Sequence, residues 1–215
     1  YEIKKTSSKS EVILLKPKVV ELKEVVIEQP KFKKEIDVGD FTGIELNTGV
    51  SNTGQENIHI WGKVFESNDK IKNYPFIKSI EFMTKSKVKN AKIRLRFYKY
   101  SHKETKYEDV VDEDVIIEVK KGNSNNLVDL TQYKIKVPNE GIVVGFEFLK
   151  LRENKYDYKY TIRGEKGRHK GLRYEPTIMG FMINDLSSLV LLNYEGKLQN
   201  DPSSIELAVK LTLTN

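Results

Sequence analysis

The sequence predicts a mostly β protein, a jelly-roll-like antiparallel β-sandwich over residues 31–215. Three observations predict it. Apolar residues recur with a period of two rather than 3.6 along most of the chain. The apolar runs are strand-sized and rich in β-branched residues. Turn-forming clusters separate them at intervals expected of a sandwich.

Taken in order, residues 11–15 form a short apolar strand closed by Pro17. Residues 18–28 read as extended chain from their valine and isoleucine content, although periodicity alone also allows a short helix. Gln29-Pro30 ends that segment, because proline biases its predecessor away from helix, and a boundary is set near residue 30. Strands are then expected at 42–48, 57–66, 76–85, 90–100, 110–120, 126–136, 142–151, 157–163, 174–183, 188–194 and 204–214. The alternation is clearest over 91–100. Ala91, Ile93, Leu95 and Phe97 point to a core, and Lys92, Arg94, Arg96, Tyr98 and Tyr100 point away. Ile205, Leu207, Val209, Leu211 and Leu213 repeat the pattern, so the C-terminal strand is expected inside a sheet. Turns are expected at Pro138–Gly141, Lys121–Asn126 and Asn200–Pro202, where residues that tolerate positive φ or preset a turn gather.

Composition removes several function classes. There is no cysteine, which excludes disulfides, thiolate metal sites and cysteine nucleophiles. No apolar run approaches the ~20 residues that span a bilayer as a helix. The net charge of +6 comes from 31 lysines and only 6 arginines. Lysine is a strongly hydrated point charge, so this excess reads as a solvated surface. No basic stripe with interleaved aromatics stands out, and a nucleic-acid partner is not expected. No Gly-x-Ser-x-Gly elbow, P-loop or dinucleotide fingerprint is present. No catalytic residue is assigned, and the chain is not expected to be an enzyme.

Three segments carry candidate binding chemistry. Residues 163–173 gather Arg163, Lys166, Arg168, His169, Lys170 and Arg173 among three glycines, with half of all the arginines. Glycines let backbone N–H groups approach an anion, so this stretch is a candidate contact for an anionic partner, or a solvated hairpin connection. Tyr156, Tyr158 and Tyr160 alternate and share one sheet face, which suits stacking on sugar rings or ordinary cross-strand packing. Charged Asp157 and Lys159 mark the other face as wet, so the tyrosines are expected to point inward. In the acid-rich segment 104–114, Glu108, Asp109, Asp112 and Asp114 offer oxygen ligands of the kind calcium takes. The spacing matches no EF-hand loop, and a solvated loop balancing nearby lysines is the alternative. Calcium is the one cofactor considered. His59, His102 and His169 show no zinc spacing.

The segment Asp129–Phe148, DLTQYKIKVPNEGIVVGFEF, resembles a recurring stretch of surface and periplasmic proteins of Bacteroidota. There an Asp-Leu-x-x-Tyr-x-Ile strand is followed by Pro-x-x-Gly and a Gly-x-Glu strand. ILLKPKVVELKEVVI (13–27) is similar to the tail that closes their carboxypeptidase-regulatory-like domains, which are transthyretin-like, and KIRLRFYKY (92–100) and EDVIIEVKKG (113–122) look similar to strands of the following domain. The resemblance implies that residues 1–30 are the tail of such a domain and a linker, and that 31–215 is a jelly-roll-like domain of unassigned function. It implies a place in the periplasm or at the cell surface, associated with the outer membrane. The expected role is a non-catalytic accessory component that contacts another envelope protein or an outer-membrane complex. A carbohydrate-binding module with a glycan ligand is the alternative. LKEVVI (22–27) is also similar to the segment before the plug of TonB-dependent receptors, which adds association with such an uptake system as a further alternative. The match further implies that Val143, Val144, Phe146 and Phe148 lie in a central strand covered on both faces. Glu147 is then expected at a sheet edge or paired to a lysine, since an isolated buried carboxylate is costly.

Overall fold

A computed structural model describes residues 2–4, 14–16, 33–53, 60–103, 108–183, 189–192, 198–200 and 204–215. The strands are β1 (Glu2–Lys4), β2 (Leu14–Lys16), β3 (Glu35–Val38), β4 (Thr48–Asn52), β5 (Ile60–Glu66), β6 (Phe76–Ser86), β7 (Ala91–Lys99), β8 (Val115–Val119), β9 (Gly122–Asp129), β10 (Gly141–Phe148), β11 (Lys155–Tyr160), β12 (His169–Met182), β13 (Leu189–Leu192), β14 (Leu198–Asn200), β15 (Ile205–Leu207) and β16 (Val209–Thr214). A short helix, α1 (Asp69–Asn73), lies between β5 and β6, its N-terminus capped by the Asn68 side chain, which accepts from Ile71 N.

The protein is an antiparallel β-sandwich. One sheet has the order β14-β13-β5-β10-β7-β8. The other runs β11-β12-β6-β16-β3, with β4 and β15 also on β12 and β9 on β6. β1 and β2 pair with each other. The predicted 18–28 segment and the boundary near 30 lie outside the described residues.

The core sits where the two inner faces meet. Ile93, Leu95 and Phe97 of β7 and Ile142, Val144, Phe146 and Phe148 of β10 pack against Ile80, Phe82, Leu211 and Leu213 of the opposite sheet. The Phe82 and Phe146 rings meet across the interface with centroids 5.1 Å apart. The alternation read over 91–97 is therefore the inward face. In β6 the period breaks, because Ile77 and Ile80 are both buried. The register against β16 shifts between Thr212 and Leu213, and the extra residue of that bulge restores the inward aim.

β10 lies between β5 and β7 and is covered on both faces. Its outer face carries Val143, which packs with Tyr98, Ile60, Val64 and Tyr100. Glu147 is neither at an edge nor on a lysine. Both of its oxygens lie 3.2 Å from Arg94 Nη1, in the middle of the sheet. Arg94 reaches it because the two residues are register partners on β7 and β10.

The C-terminal strand crosses a seam. Ile205–Leu207 pairs with β12, and Val209–Thr214 pairs with β6 and β3. Ala208 joins them by donating to Met179 O at 3.0 Å and accepting from Met83 N at 3.2 Å. Lys63, buried on β5 of the facing sheet, donates to Leu207 O (3.3 Å) and Val209 O (3.2 Å) and pairs with Glu206 at 2.5 Å. A lysine so enclosed is tolerated because each of these partners takes up its charge or its protons.

Several expected boundaries differ from the observed ones: 110–114, 130–136 and 161–163, expected within strands, lie outside them, and Thr131–Tyr133 is a single 3-10 turn. Residues 42–47 are loop, and Glu35–Val38, not expected as a strand, pairs with β16. Lys121–Asn126 was expected as a turn, yet Gly122–Asp129 is an edge strand on β6. Its asparagines bond across the ladder: Asn126 Nδ2 donates to Phe82 O (3.1 Å) and Thr84 Oγ1 (3.0 Å), and Asn125 Nδ2 to Glu81 (2.6 Å).

Candidate functional site

β11 and the first half of β12 form a hairpin, and two of the sequence candidates meet on it. Its base is pegged by Asn154, which is fully buried. The Asn154 side chain donates to Lys92 O (2.7 Å) and Leu149 O (2.9 Å) and accepts from Lys92 N (2.8 Å). Those bonds complete the backbone groups at the start of β7 and fix where β11 begins. Residues 161–168, all exposed, form the tip, with Gly164 and Gly167 at positive φ.

The basic stretch is divided by this geometry. Arg163, Lys166 and Arg168 are in the exposed tip, whereas His169, Lys170 and Arg173 belong to β12. The register sets Tyr156 opposite Arg173, Tyr158 opposite Gly171 and Tyr160 opposite His169. Directly opposed residues share a face, so three tyrosines, an arginine and a histidine line one side of the hairpin. Tyr156 and Tyr158 are nearly parallel (6.3 Å between centroids, 11° between planes). Tyr158 to Tyr160 is 5.9 Å, and Tyr160 to His169 is 5.5 Å. His169 Nε2 lies 2.8 Å from Glu165. The tyrosines are half-buried or exposed and do not enter the core, which corrects the inward expectation. Their face is covered by neighbouring rings and by Arg173 rather than by the opposite sheet.

Two contacts hold the ladder in place. Tyr158 lies across Gly171, where an added Cβ would stand 2.5–2.9 Å from the ring. Arg173 lies 5.3 Å from the Tyr156 ring centre and 5.8 Å from that of Tyr158, within cation–π range. Its Nε and Nη2 both donate to Glu175 Oε1 at 2.7 Å, and Glu175 is fully buried, its Oε2 without a hydrogen-bond partner. Arg173 is thus a fixed cation. The sequence holds a signal for this clamp, since Arg173 and Glu175, two apart on a strand, share a face, whereas no local pattern marks Asn154.

Residues 155–175 carry seven Lys or Arg against three Asp or Glu. Lys159 stands directly opposite Lys170, and neither has a carboxylate partner among the described residues. A recess of about 610 Å³ lies against β11, bordered by Tyr156, Asp157, Tyr158, Lys159 and Lys170.

In the described part of the acid-rich segment, 108–114, carboxylates face cations of the sheet. Three of its acids are taken by cations of β7: Glu108 by Lys99 (3.7 Å), Asp109 by Arg96 (2.8 Å) and Asp114 by Arg94 (3.2 Å). Burial raises the Asp109 carboxyl above its ordinary range, and Arg96 offsets part of that rise. Among the described residues, no group of three or more His, Asp or Glu is placed to hold a metal ion. His102 is exposed beside the Tyr100 hydroxyl (3.3 Å), and His59 lies outside the described residues.

In comparisons with known proteins, no family model, no curated protein and no solved structure matches the chain.

Proposed function

We propose that this chain is a non-catalytic binding component of the cell envelope that meets a partner protein through the hairpin 155–174. One observation carries the reading: tyrosine and arginine side chains gather on a single hairpin and are fixed there, Tyr158 over Gly171 and Arg173 by Glu175. Tyr and Arg are the residue types that anchor protein interfaces. Groups already held in one conformation lose little entropy on binding. The envelope setting and the relation to regulatory-like proteins rest on the resemblance of residues 13–27 and 129–148.

A photo-crosslinking residue at position 160 tests the reading in intact cells, with position 127 on β9 as the control. Both side chains are exposed, Tyr160 at 42% and Leu127 at 73%. The expected result is one crosslinked protein species from position 160 and none from 127. Equal labelling from both, or none from 160, rejects the hairpin as the contact element.

The ladder of four rings favours a second reading, a carbohydrate-binding module, in which sugar rings stack on Tyr156, Tyr158 and Tyr160. That reading predicts glycan binding by the isolated chain, lost in Tyr158→Ala.

A further inference from the structure

Among the described residues, β11 is the outermost strand of its sheet and pairs with β12 along Lys155–Tyr160. In an antiparallel pair, alternate residues turn their N–H and C=O toward the partner and the rest turn theirs away. Half of the β11 backbone groups therefore point outward from the sheet. The recess of about 610 Å³ is bordered by the consecutive residues Tyr156, Asp157, Tyr158 and Lys159, together with Lys170. Successive residues of a strand lie on opposite faces. Because Lys170 of β12 also borders it, the recess lies against β11 and reaches the face that carries Lys159 and Lys170.

Charge selects what that strand carries. Lys159 and Lys170 are directly opposed like charges, an arrangement that destabilises a pair of strands unless an anion comes between them. A second copy of the same edge, paired antiparallel about Tyr158, would set Asp157 opposite Lys159 but would bring only that one acid to the face that carries both Lys159 and Lys170. An acid-bearing segment meets opposite charge on that face. On the other face it meets the ring ladder of Tyr156, Tyr158 and Tyr160.

We propose that β11 accepts an extended segment of a partner protein as an added strand, acidic at alternate positions toward Lys159 and Lys170 and apolar or aromatic toward the tyrosines. Main-chain hydrogen bonds to the open edge supply the affinity, and the two faces supply the selectivity. This rests on the reading of the hairpin as a protein contact and adds the partner's chemistry and mode of binding.

Amide hydrogen exchange, read residue by residue by NMR, tests it. The probe is an acetylated octapeptide alternating glutamate and valine. At 90% occupancy, exchange at alternate residues of 155–160 slows about tenfold, since the edge is then open one-tenth of the time. β9, another edge, is unaffected. Methylating alternate peptide nitrogens abolishes the slowing, as does the double variant Lys159→Glu, Lys170→Glu. That variant's unchanged exchange in β10 shows that the fold is kept. Uniform slowing, or none, overturns strand addition. So does slowing that survives when each of the two alternate sets of peptide nitrogens is methylated in turn, since one of those sets must face the edge. Polygalacturonate binding without alternate protection overturns it in favour of a glycan ligand. If crosslinks from position 160 persist while the amides are unmoved, strand addition alone fails. If the crosslinks are also absent, the hairpin reading falls with it.

Discussion

Single side chains on the outer surface of the second sheet contribute to how this protein responds to acid. Lys210 Nζ lies 2.6 Å from Glu81, and Asn125 donates to the same carboxylate at 2.6 Å. These two hydrogen bonds, the lysine's first, hold the Glu81 carboxyl below its ordinary value of 4.5, and Glu81 in turn raises Lys210. A carboxylate whose folded pKa is depressed stabilises the fold above its unfolded value and loses that contribution as pH falls through the folded one. Glu81→Gln should therefore lower stability at pH 7 by about 0.5–1 kcal/mol, the range of a partly exposed pair. The difference from the unsubstituted protein should shrink as pH falls below the ordinary carboxyl value and close once pH has passed the depressed folded value. Urea denaturation from pH 7 downward checks it, and a difference that does not shrink with falling pH contradicts the assignment. The acid-rich segment teaches a related point. Composition offered four oxygen ligands there, but Arg94, Arg96 and Lys99 reach three of them first.

At the scale of elements, the hairpin depends on one missing side chain. Tyr158 occupies the space where a residue other than glycine would place its Cβ at position 171. Gly171→Ala should push the ring off β12 and loosen the ladder from Tyr156 to His169. Because the displaced group is the end of a half-exposed side chain, the global cost is expected to be small, about 1 kcal/mol. Near-UV circular dichroism should lose its tyrosine signal from the hairpin while the far-UV spectrum is unchanged. Retention of both signals shows that the ladder does not need the glycine. Gly141 is a different case. It has φ +136 and donates to Pro138 O at 3.1 Å, closing the turn that launches the central strand β10. The Pro138–Gly141 turn was legible because its chemistry is local.

For the whole molecule, Lys63 is the polar link between the layers at the seam of the C-terminal strand. From β5 it reaches Leu207 O and Val209 O on the facing sheet and pairs with Glu206. Lys63→Met keeps the length of the side chain but leaves two carbonyls and a carboxylate without their cation. Removing one partner of a buried pair is strongly destabilising, so the loss should be about 3 kcal/mol. It should appear as a lower urea midpoint with an unchanged slope, since the surface exposed on unfolding is the same. A loss under about 1 kcal/mol, the range of exposed pairs, means that Lys63 is not what holds the layers together at the seam.

The sequence by itself determined the class of fold and the inward faces of its most regular strands. Over 91–97 the alternation separates core from solvent without help from elsewhere, because a side-chain period of two is a property of the extended backbone. It also placed Tyr156, Tyr158 and Tyr160 on one face and marked the basic stretch 163–173. Tertiary structure alone decided the rest. Which face of β11 is covered depends on its partner strand, where Gly171 and Arg173 stand opposite the rings. Lys121–Asn126 looks like a turn until β6 presents the carbonyl and the carboxylate that its asparagines bind. Glu147 found Arg94, and Lys63 found the seam, through register between strands distant in sequence. Local pattern reports what a residue prefers, but only pairing across the sheets fixes which charges, rings and carbonyls meet.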